Sequence, residues 1–170
     1  GSNGYDQFLV GDYVSRSKPT QIGTDANWLE VSIGSLHVLA LKTDSTLWVW
    51  GNNGFGQLGD GTLTNRAIPT KIGTHKWLKI SAGPNTSYAI RSDSTLWAWG
   101  SNRCGQIGDG TTTDQNTLTQ IGVGSKWKNI SANYNHTLAI KADGTLWAWG
   151  DNSFGQLGIG TNIQKNVPTQ

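Results

Sequence analysis

The sequence predicts an all-β fold, a partial β-propeller of about three and a half blades, each a four-stranded antiparallel sheet. One observation is a long motif that recurs three times in phase: "LWVWGNNGFGQLGDGT" at 47–62, "LWAWGSNRCGQIGDGT" at 96–111 and "LWAWGDNSFGQLGIGT" at 146–161. Its copies lie 49 and then 50 residues apart, and a fixed period of this length is typical of propellers and other repeat architectures. The second observation is that each period holds about four short stretches with strand character, as a propeller blade does.

Two of these strands form a hairpin in each period. In the third period, "HTLAIK" and "TLWAWG" alternate in polarity on either side of Asp143-Gly144. An Asp-Gly pair favours a tight turn because it tolerates positive φ. Asp44-Ser45 and Asp93-Ser94 hold the same turn in the other periods, and they suit it less well because serine carries a Cβ.

The other two strands are short segments such as "WLKIS" and "PTKIG", and they complete one repeat domain over residues 1–170. The full periods run from 19 to 68, from 69 to 117 and from 118 to 167, and 168–170 begin another. Residues 1–18 form a partial, degenerate repeat, since 1–24 align without a gap on 51–74. Decay of this kind is typical of a terminal repeat.

The recurring motif is predicted to be a packing unit between neighbouring blades. Trp147 and Trp149 are two residues apart and share one face of a strand, whereas Leu146 and Ala148 take the other face. The small residue between the two rings indicates a face that the next blade approaches closely. The glycines of "GQLG" permit a backbone path closed to residues with a Cβ, and the glutamine is expected to bond neighbouring backbone.

Composition argues against several classes of partner. Charged residues make up 14% of the chain and the net charge is +2, which is too mild for the clustered basic surface of a nucleic-acid-binding protein. No apolar run approaches the roughly 20 residues that cross a bilayer. Cys104 is the sole cysteine, so an internal disulfide is impossible. We therefore expect a protein partner, with neither nucleic acid nor membrane.

Candidate catalytic and metal-binding residues all have structural interpretations. Asp44, Asp93 and Asp143 are turn residues whose side chains bond their own backbone. Asp60 in "GDGT" lacks the alternating oxygen ligands of a calcium loop. Cys104 stands at an aromatic packing position. We therefore expect no catalytic residue, no metal and no cofactor.

The repeats resemble those of the regulator of chromosome condensation family, with the pattern "AGxxHxLALxxDGxLWxWGxNxxGQLGxG". His37 and His136 match the family histidine, which packs within a blade, while Thr86, Asn133 and Cys104 depart from the pattern. The resemblance implies a propeller, usually of seven blades, so we expect either a part of a longer chain or self-association that completes the ring. Founding members exchange nucleotide on a small nuclear GTPase and bind chromatin, whereas other members, including secreted bacterial ones, only bind proteins.

The functional hypothesis is a non-catalytic scaffold that recognises a protein through loops at one end of the blades. A hairpin that runs out and back brings the segments before and after it to the same end, and these segments vary between repeats. The candidate partner-binding residues are Leu36, Asn53, Asn85, Arg103, Tyr134, Asn135, Asn152 and Ser153. The alternatives are a structural role in a self-associating or surface assembly and nucleotide exchange on a small GTPase. The Trp, Asn and Ser bias resembles the secreted members, so we expect an extracellular or cell-surface location.

Overall fold

The structure is a computed structural model that describes residues 17–170, and it confirms the all-β, propeller-like architecture. Three four-stranded antiparallel sheets follow one another along the chain. The first blade contains β1 (Trp28–Ile33), β2 (His37–Lys42), β3 (Leu47–Gly51) and β4 (Arg66–Lys71). The second contains β5 (Trp77–Ala82), β6 (Thr86–Arg91), β7 (Leu96–Gly100) and β8 (Gln115–Ile121). The third contains β9 (Trp127–Asn133), β10 (His136–Lys141), β11 (Leu146–Gly150) and β12 (Lys165–Thr169).

The predicted partial repeat at residues 1–18 lies almost entirely outside the described residues. Among residues 17–170 there is no helix, and hence none that is long and apolar enough to cross a membrane.

Strand order within every sheet follows chain order, and every neighbouring pair is antiparallel. The segment that contains Pro69-Thr70 lies in β4 and pairs with β3, so it closes the first sheet. Each sheet therefore begins with a strand whose first residue is tryptophan. It ends with an outer strand, which contains a proline in the first and third sheets. The first strands of neighbouring blades contact one another, β1 with β5 and β5 with β9. These strands therefore lie on the inner side of the partial propeller.

The predicted hairpin turns are present. The Asp44 carboxylate accepts a hydrogen bond from Thr46 N (3.0 Å), and the Thr46 hydroxyl donates to the same oxygen (2.6 Å). Ser45 has a φ of 64° and Gly144 a φ of 87°, so the serine adopts the left-handed conformation that glycine adopts more easily. The aspartate holds this turn by bonding the backbone two residues on.

The apolar core lies between the blades, as the alternation of the motif predicts. Trp99 faces the first blade, where it packs in one cluster with Leu39 and Leu47. Ala98, its neighbour in β7, faces the third blade and packs in another cluster with Trp127. The second blade therefore buries its tryptophan face against the first blade and its small-residue face against the third.

Each contact between neighbouring blades, which we call a joint, also contains a hydrogen bond from an indole side chain to a main-chain carbonyl. Trp99 Nε1 donates to the carbonyl of Gln57 in the preceding blade (2.9 Å), and Trp149 Nε1 donates to the carbonyl of Gln106 (2.7 Å). A Cβ on Gly108, two residues after Gln106, would lie 2.6 Å from Trp149 Nε1. The glycine is required because the indole occupies the space of a side chain.

The same loop reaches the outer strand of the next blade. Gly61 N donates to the carbonyl of Asn116 in β8 (2.9 Å), and the Asn116 amide donates back to the Gly61 carbonyl (3.1 Å). Gly110 and Asn166 repeat this pair at the second joint (2.8 and 2.7 Å). Hydrogen bonds from the backbone and from the asparagine side chain therefore link the blades at their outer side as well as at the core.

A comparison of Gly108→Ala with Gly158→Ala distinguishes the stability lost at the joint from the stability lost to backbone strain. Both glycines have positive φ, 87° and 68°, but a Cβ on Gly158 would meet nothing within 4 Å. We expect Gly158→Ala to cost about 1 kcal/mol from left-handed strain alone, and Gly108→Ala to cost about 2–4 kcal/mol because overpacking adds to that strain. Chemical denaturation of the two variants measures the difference, and equal losses of stability would contradict this description of the joint.

Candidate partner-binding rim

The two connections of each blade emerge at the same end, as predicted. Asn52 N donates to the carbonyl of Leu36 (2.8 Å), and Asp151 N donates to the carbonyl of Asn135 (2.8 Å). Ser101 N makes the same bond to Asn85 in the second blade (2.9 Å). We call this end of the blades the rim. It comprises residues 34–36, 83–85 and 134–135 together with 51–65, 100–114 and 151–164.

Two of the predicted rim residues, Asn53 and Asn152, are fully buried, so the expectation that they are exposed to a partner is wrong. The Asn53 amide donates to the carbonyls of Thr62 (3.0 Å) and Thr64 (3.2 Å), and its oxygen accepts from Leu58 N (2.9 Å). Asn152 makes the equivalent bonds in the third blade. These amides satisfy loop backbone that no strand pairs, and they hold the rim in one conformation.

The other predicted residues are accessible to different degrees. Tyr134 is 72% exposed at the β9–β10 turn, where Asn133 Oδ1 accepts from its backbone N–H (2.8 Å). Arg103 is exposed and lies over the ring of Phe55 in the first blade, with its guanidinium carbon 5.5 Å from the ring centroid. Ser153 is also exposed, whereas Leu36, Asn85 and Asn135 are half-buried. Partner binding by these six residues stays a prediction.

Sequence reasoning missed Phe154, which is 91% exposed on the rim of the third blade. Its counterpart in the first blade, Phe55, is half-buried beneath Arg103. The alignment of the repeats could have indicated this difference. Arg103, which covers Phe55, comes from the blade that follows the phenylalanine.

Both carboxylate oxygens of Asp60 accept hydrogen bonds from neighbouring side chains. Burial raises its pKa, but hydrogen bonds from Thr62 and Arg66 outweigh this effect, and the pKa lies below its ordinary value. Arg66 donates to one carboxylate oxygen from Nε (2.8 Å) and Nη2 (2.6 Å), and the Thr62 hydroxyl and Asn53 amide donate to the other. Among residues 17–170 no group of three His, Cys, Asp or Glu side chains is placed to hold a metal ion.

His37 is a buried part of the first joint. Its Nε2 lies 2.9 Å from the hydroxyl of Ser87 in the second blade, and that hydroxyl donates to the carbonyl of Gln57 (2.7 Å). A serine hydroxyl has one hydrogen, so His37 Nε2 donates to Ser87. The histidine therefore bonds across the joint rather than within its blade, and burial lowers its pKa to about 4.

Cys104, at the position of Phe55 and Phe154, is half-buried. Burial raises the pKa of its thiol, and the negative charge of Asp151 raises it further. The thiol is therefore protonated at neutral pH, which disfavours a nucleophilic role.

Models of the regulator of chromosome condensation (RCC1) repeat match most of the chain. One matches residues 44–90, 93–140 and 143–170, and a second matches 28–57, 77–106 and 127–156. The chain belongs to this repeat family.

Individual relatives agree with this assignment. A stretch of 43 residues, 25% of this chain, is 40% identical to the mitochondrial RCC1 domain-containing protein RUG3 of Arabidopsis thaliana and covers 10% of that protein. Human WBSCR16 superposes on 99% of this chain with a TM-score of 0.88 and 23% identity, over 46% of its own length. Yeast RCC1 (Prp20) bound to Kap60 superposes on 99% with a TM-score of 0.86 and 22% identity, over 43% of its length.

A further structure of Prp20p from Saccharomyces cerevisiae, a protein with binding properties towards Gsp1p and histones, gives a TM-score of 0.86 at 22% identity. It matches 98% of this chain and 44% of Prp20p. At this level of identity the likenesses show the fold alone. The chain spans less than half the length of these solved structures and a tenth of the plant relative.

The buried histidine predicts a pH dependence of stability. Unfolded His37 binds a proton below its ordinary pKa of 6.5, whereas the folded protein resists protonation down to about pH 4. The stability is therefore fully present above pH 6.5, and about 3 kcal/mol of it is lost as the pH falls to 4.

The control is His37→Thr, which places at this position the residue that the second blade carries as Thr86. We expect the free energy of unfolding of this variant to change less between pH 6.5 and 4, because it lacks the titrating group. Denaturant titrations at several pH values measure both slopes. Parallel slopes for parent and variant would contradict the prediction.

Proposed function

We propose that this chain is a non-catalytic scaffold that binds a protein partner through the rim. The observation that supports this most is the exposed Tyr134, on a turn next to loops whose backbone is locked by buried asparagines. A rigid loop presents its side chains without a large entropy cost on binding. Tyrosine and arginine are also the residues enriched where binding energy concentrates.

The rim side chains differ between blades in a way that suits recognition. The positions of Asn52, Ser101 and Asp151 are equivalent, and they carry an amide, a hydroxyl and a carboxylate. The joints, by contrast, repeat their tryptophan and glycine residues. We propose an extracellular or cell-surface location for this binding, on the basis of the Trp, Asn and Ser bias.

The test compares a rim variant with a matched surface variant. Tyr134→Ala combined with Arg103→Ala removes two exposed rim side chains, while Val123→Ala changes an exposed residue (83%) in the β8–β9 connection. Immobilised proteins are incubated with an extract of the source organism, and captured proteins are quantified by mass spectrometry. We expect a partner retained by the parent and by Val123→Ala, with at least about five-fold less capture by the double variant, as expected for loss of residues worth more than 1 kcal/mol.

Unchanged capture by the double variant, with an unchanged melting temperature, would place binding on another surface. The fold is also compatible with nucleotide exchange on a small GTPase, so any captured GTPase should be assayed for accelerated release of a fluorescent nucleotide. Acceleration would contradict the non-catalytic proposal.

A second candidate function, a structural part of a self-associating assembly, is supported by the uncovered face of the third blade. Leu47 and Leu96 are fully buried by the following blade, whereas the equivalent Leu146 is 57% exposed. A contiguous apolar face of this kind favours association.

Leu146→Asp tests this second candidate. We expect the parent to associate as its concentration rises in sedimentation velocity experiments, and Leu146→Asp to remain monomeric with an unchanged melting temperature, because a charge on an uncovered face opposes only association. Val123→Asp, at an apolar residue 83% exposed in the β8–β9 connection, is the control and should associate like the parent. A parent that stays monomeric at every concentration would rule out this candidate.

A further inference from the structure

A cavity lies between the second and third blades at the end opposite the rim, and we call it the basal cavity. Its volume is about 370 Å³, within the range of roughly 300–1,000 Å³ that is typical of small-molecule sites. Two of its residues, Ser94 and Ala142, lie in the hairpin turns of the two blades. The lining residues are Leu78, Lys79, Ile90, Ser94, Trp127, Lys128 and Ala142.

The lining residues all belong to two blades that contact one another, so the cavity is formed within the second joint. Leu78 and Lys79 lie on β5, and both are exposed although the third blade is packed against the second. Lys128 follows the first tryptophan of β9 as Leu78 follows the first tryptophan of β5. Since Leu78 remains 52% exposed with the following blade in place, the geometry of the strand itself leaves this position open.

The base of the cavity is apolar. Ile90 and Trp127 are each only 1% exposed and pack in one core cluster, so they form a fixed surface. Leu78 stands beside them and is half in contact with solvent. An apolar group placed in the cavity would remove this leucine surface from water, which favours binding in proportion to the area covered.

The charged side chains of the cavity are both cationic. Lys79 and Lys128 are exposed, and neither forms an ion pair with a residue among 17–170. Within that range no carboxylate lines the cavity. Asp93 and Asp143 lie in the neighbouring turns, but each carboxylate accepts hydrogen bonds from the threonine two residues on. Two unpaired cations beside an apolar surface suit a ligand with an anionic head and an apolar body.

The first joint shows that packing between blades does not require these lysines. Glu30 in β1 has the register position that Lys79 has in β5. Leu78 in β5 has the position that Lys128 has in β9. The first joint therefore combines a carboxylate with a leucine where the second joint combines two lysines.

We propose that the basal cavity binds a small, free carboxylic acid with an apolar body. The body lies on the leucine, isoleucine and tryptophan, and the carboxylate lies between Lys79 and Lys128, whose flexible ammonium groups act as point charges. The C-terminus of a peptide fits less well because it brings backbone N–H groups that need acceptors. Among the lining side chains only the Ser94 hydroxyl can accept from them. This site is separate from the rim and does not depend on the scaffold function.

The probe is octanoate, compared with octanamide, which has the same chain and a neutral head. The full chain is labelled in its leucine and isoleucine methyl groups, and binding is followed by NMR. We expect the methyl signals of Leu78 and Ile90 to shift and to saturate on titration with octanoate. The affinity for octanoate should exceed that for octanamide at least about five-fold, as expected for two partly exposed ion pairs.

A double variant locates the charges. Lys79→Glu with Lys128→Leu gives the second joint the residues of the first, and we expect it to fold and to bind octanoate at least about five-fold more weakly than the parent. Lys71→Glu with Lys18→Leu is the matched control, because it changes the net charge equally at exposed lysines that do not line the cavity. Its affinity should equal that of the parent. Melting temperatures confirm that both variants are folded.

Three results would each overturn the proposal: equal affinity for octanoate and octanamide, no shift of the Leu78 and Ile90 methyl signals at millimolar octanoate, and parent-like binding by the folded double variant. A further arm uses the peptide Gly-Gly-Leu with a free carboxylate. Binding of this peptide at the same methyl groups as tightly as octanoate would overturn the assignment to a free acid. All of these results leave the rim scaffold untouched, since its test depends on Tyr134 and Arg103.

Discussion

The fold depends on one main-chain carbonyl at each joint. The carbonyl of Gln57 accepts from Trp99 Nε1 and from the Ser87 hydroxyl of the next blade. The carbonyl of Gln106 accepts from Trp149 Nε1 and from the hydroxyls of Tyr88 and Thr137. A buried carbonyl without donors is costly, so the following blade stabilises the loop that carries it, and at the second joint Tyr88 of the same blade adds a further donor. This makes the blades interdependent, although each sheet is complete in its own hydrogen bonding.

The requirement also explains how the two joints differ. At the first joint His37 donates a hydrogen bond to Ser87, and the Ser87 hydroxyl donates to the Gln57 carbonyl. At the second joint Thr86 replaces the histidine. The Tyr88 and Thr137 hydroxyl oxygens lie 2.8 Å apart, so each hydroxyl hydrogen serves either this contact or the Gln106 carbonyl. Each arrangement fills the joint and supplies donors to the carbonyl. The joint therefore accepts different side chains as long as the donors and the volume are preserved.

The sequence predicted the parts of the fold that depend on alternation and on turns. Ala98 and Trp99 face opposite joints as their spacing requires, and the Asp44 turn adopts positive φ at Ser45. The burial of Asn53 was not predicted, because a polar residue in a variable, glycine-rich loop is usually exposed. The signal was that Asn53, Asn102 and Asn152 are identical while their neighbours differ. Identity at a rim position indicated a structural amide, and variation indicated a presented side chain.

The candidate site could be predicted only in part, because exposure on the rim depends on the neighbouring blade. Phe55 and Phe154 occupy the same position in the repeat, yet one lies beneath Arg103 and the other is open. Leu96 and Leu146 differ in the same way. The first two blades each have a described successor that covers these positions. The rim of the third blade combines the exposed Tyr134 and Phe154 with the carboxylate of Asp151 on loops held by buried hydrogen bonds.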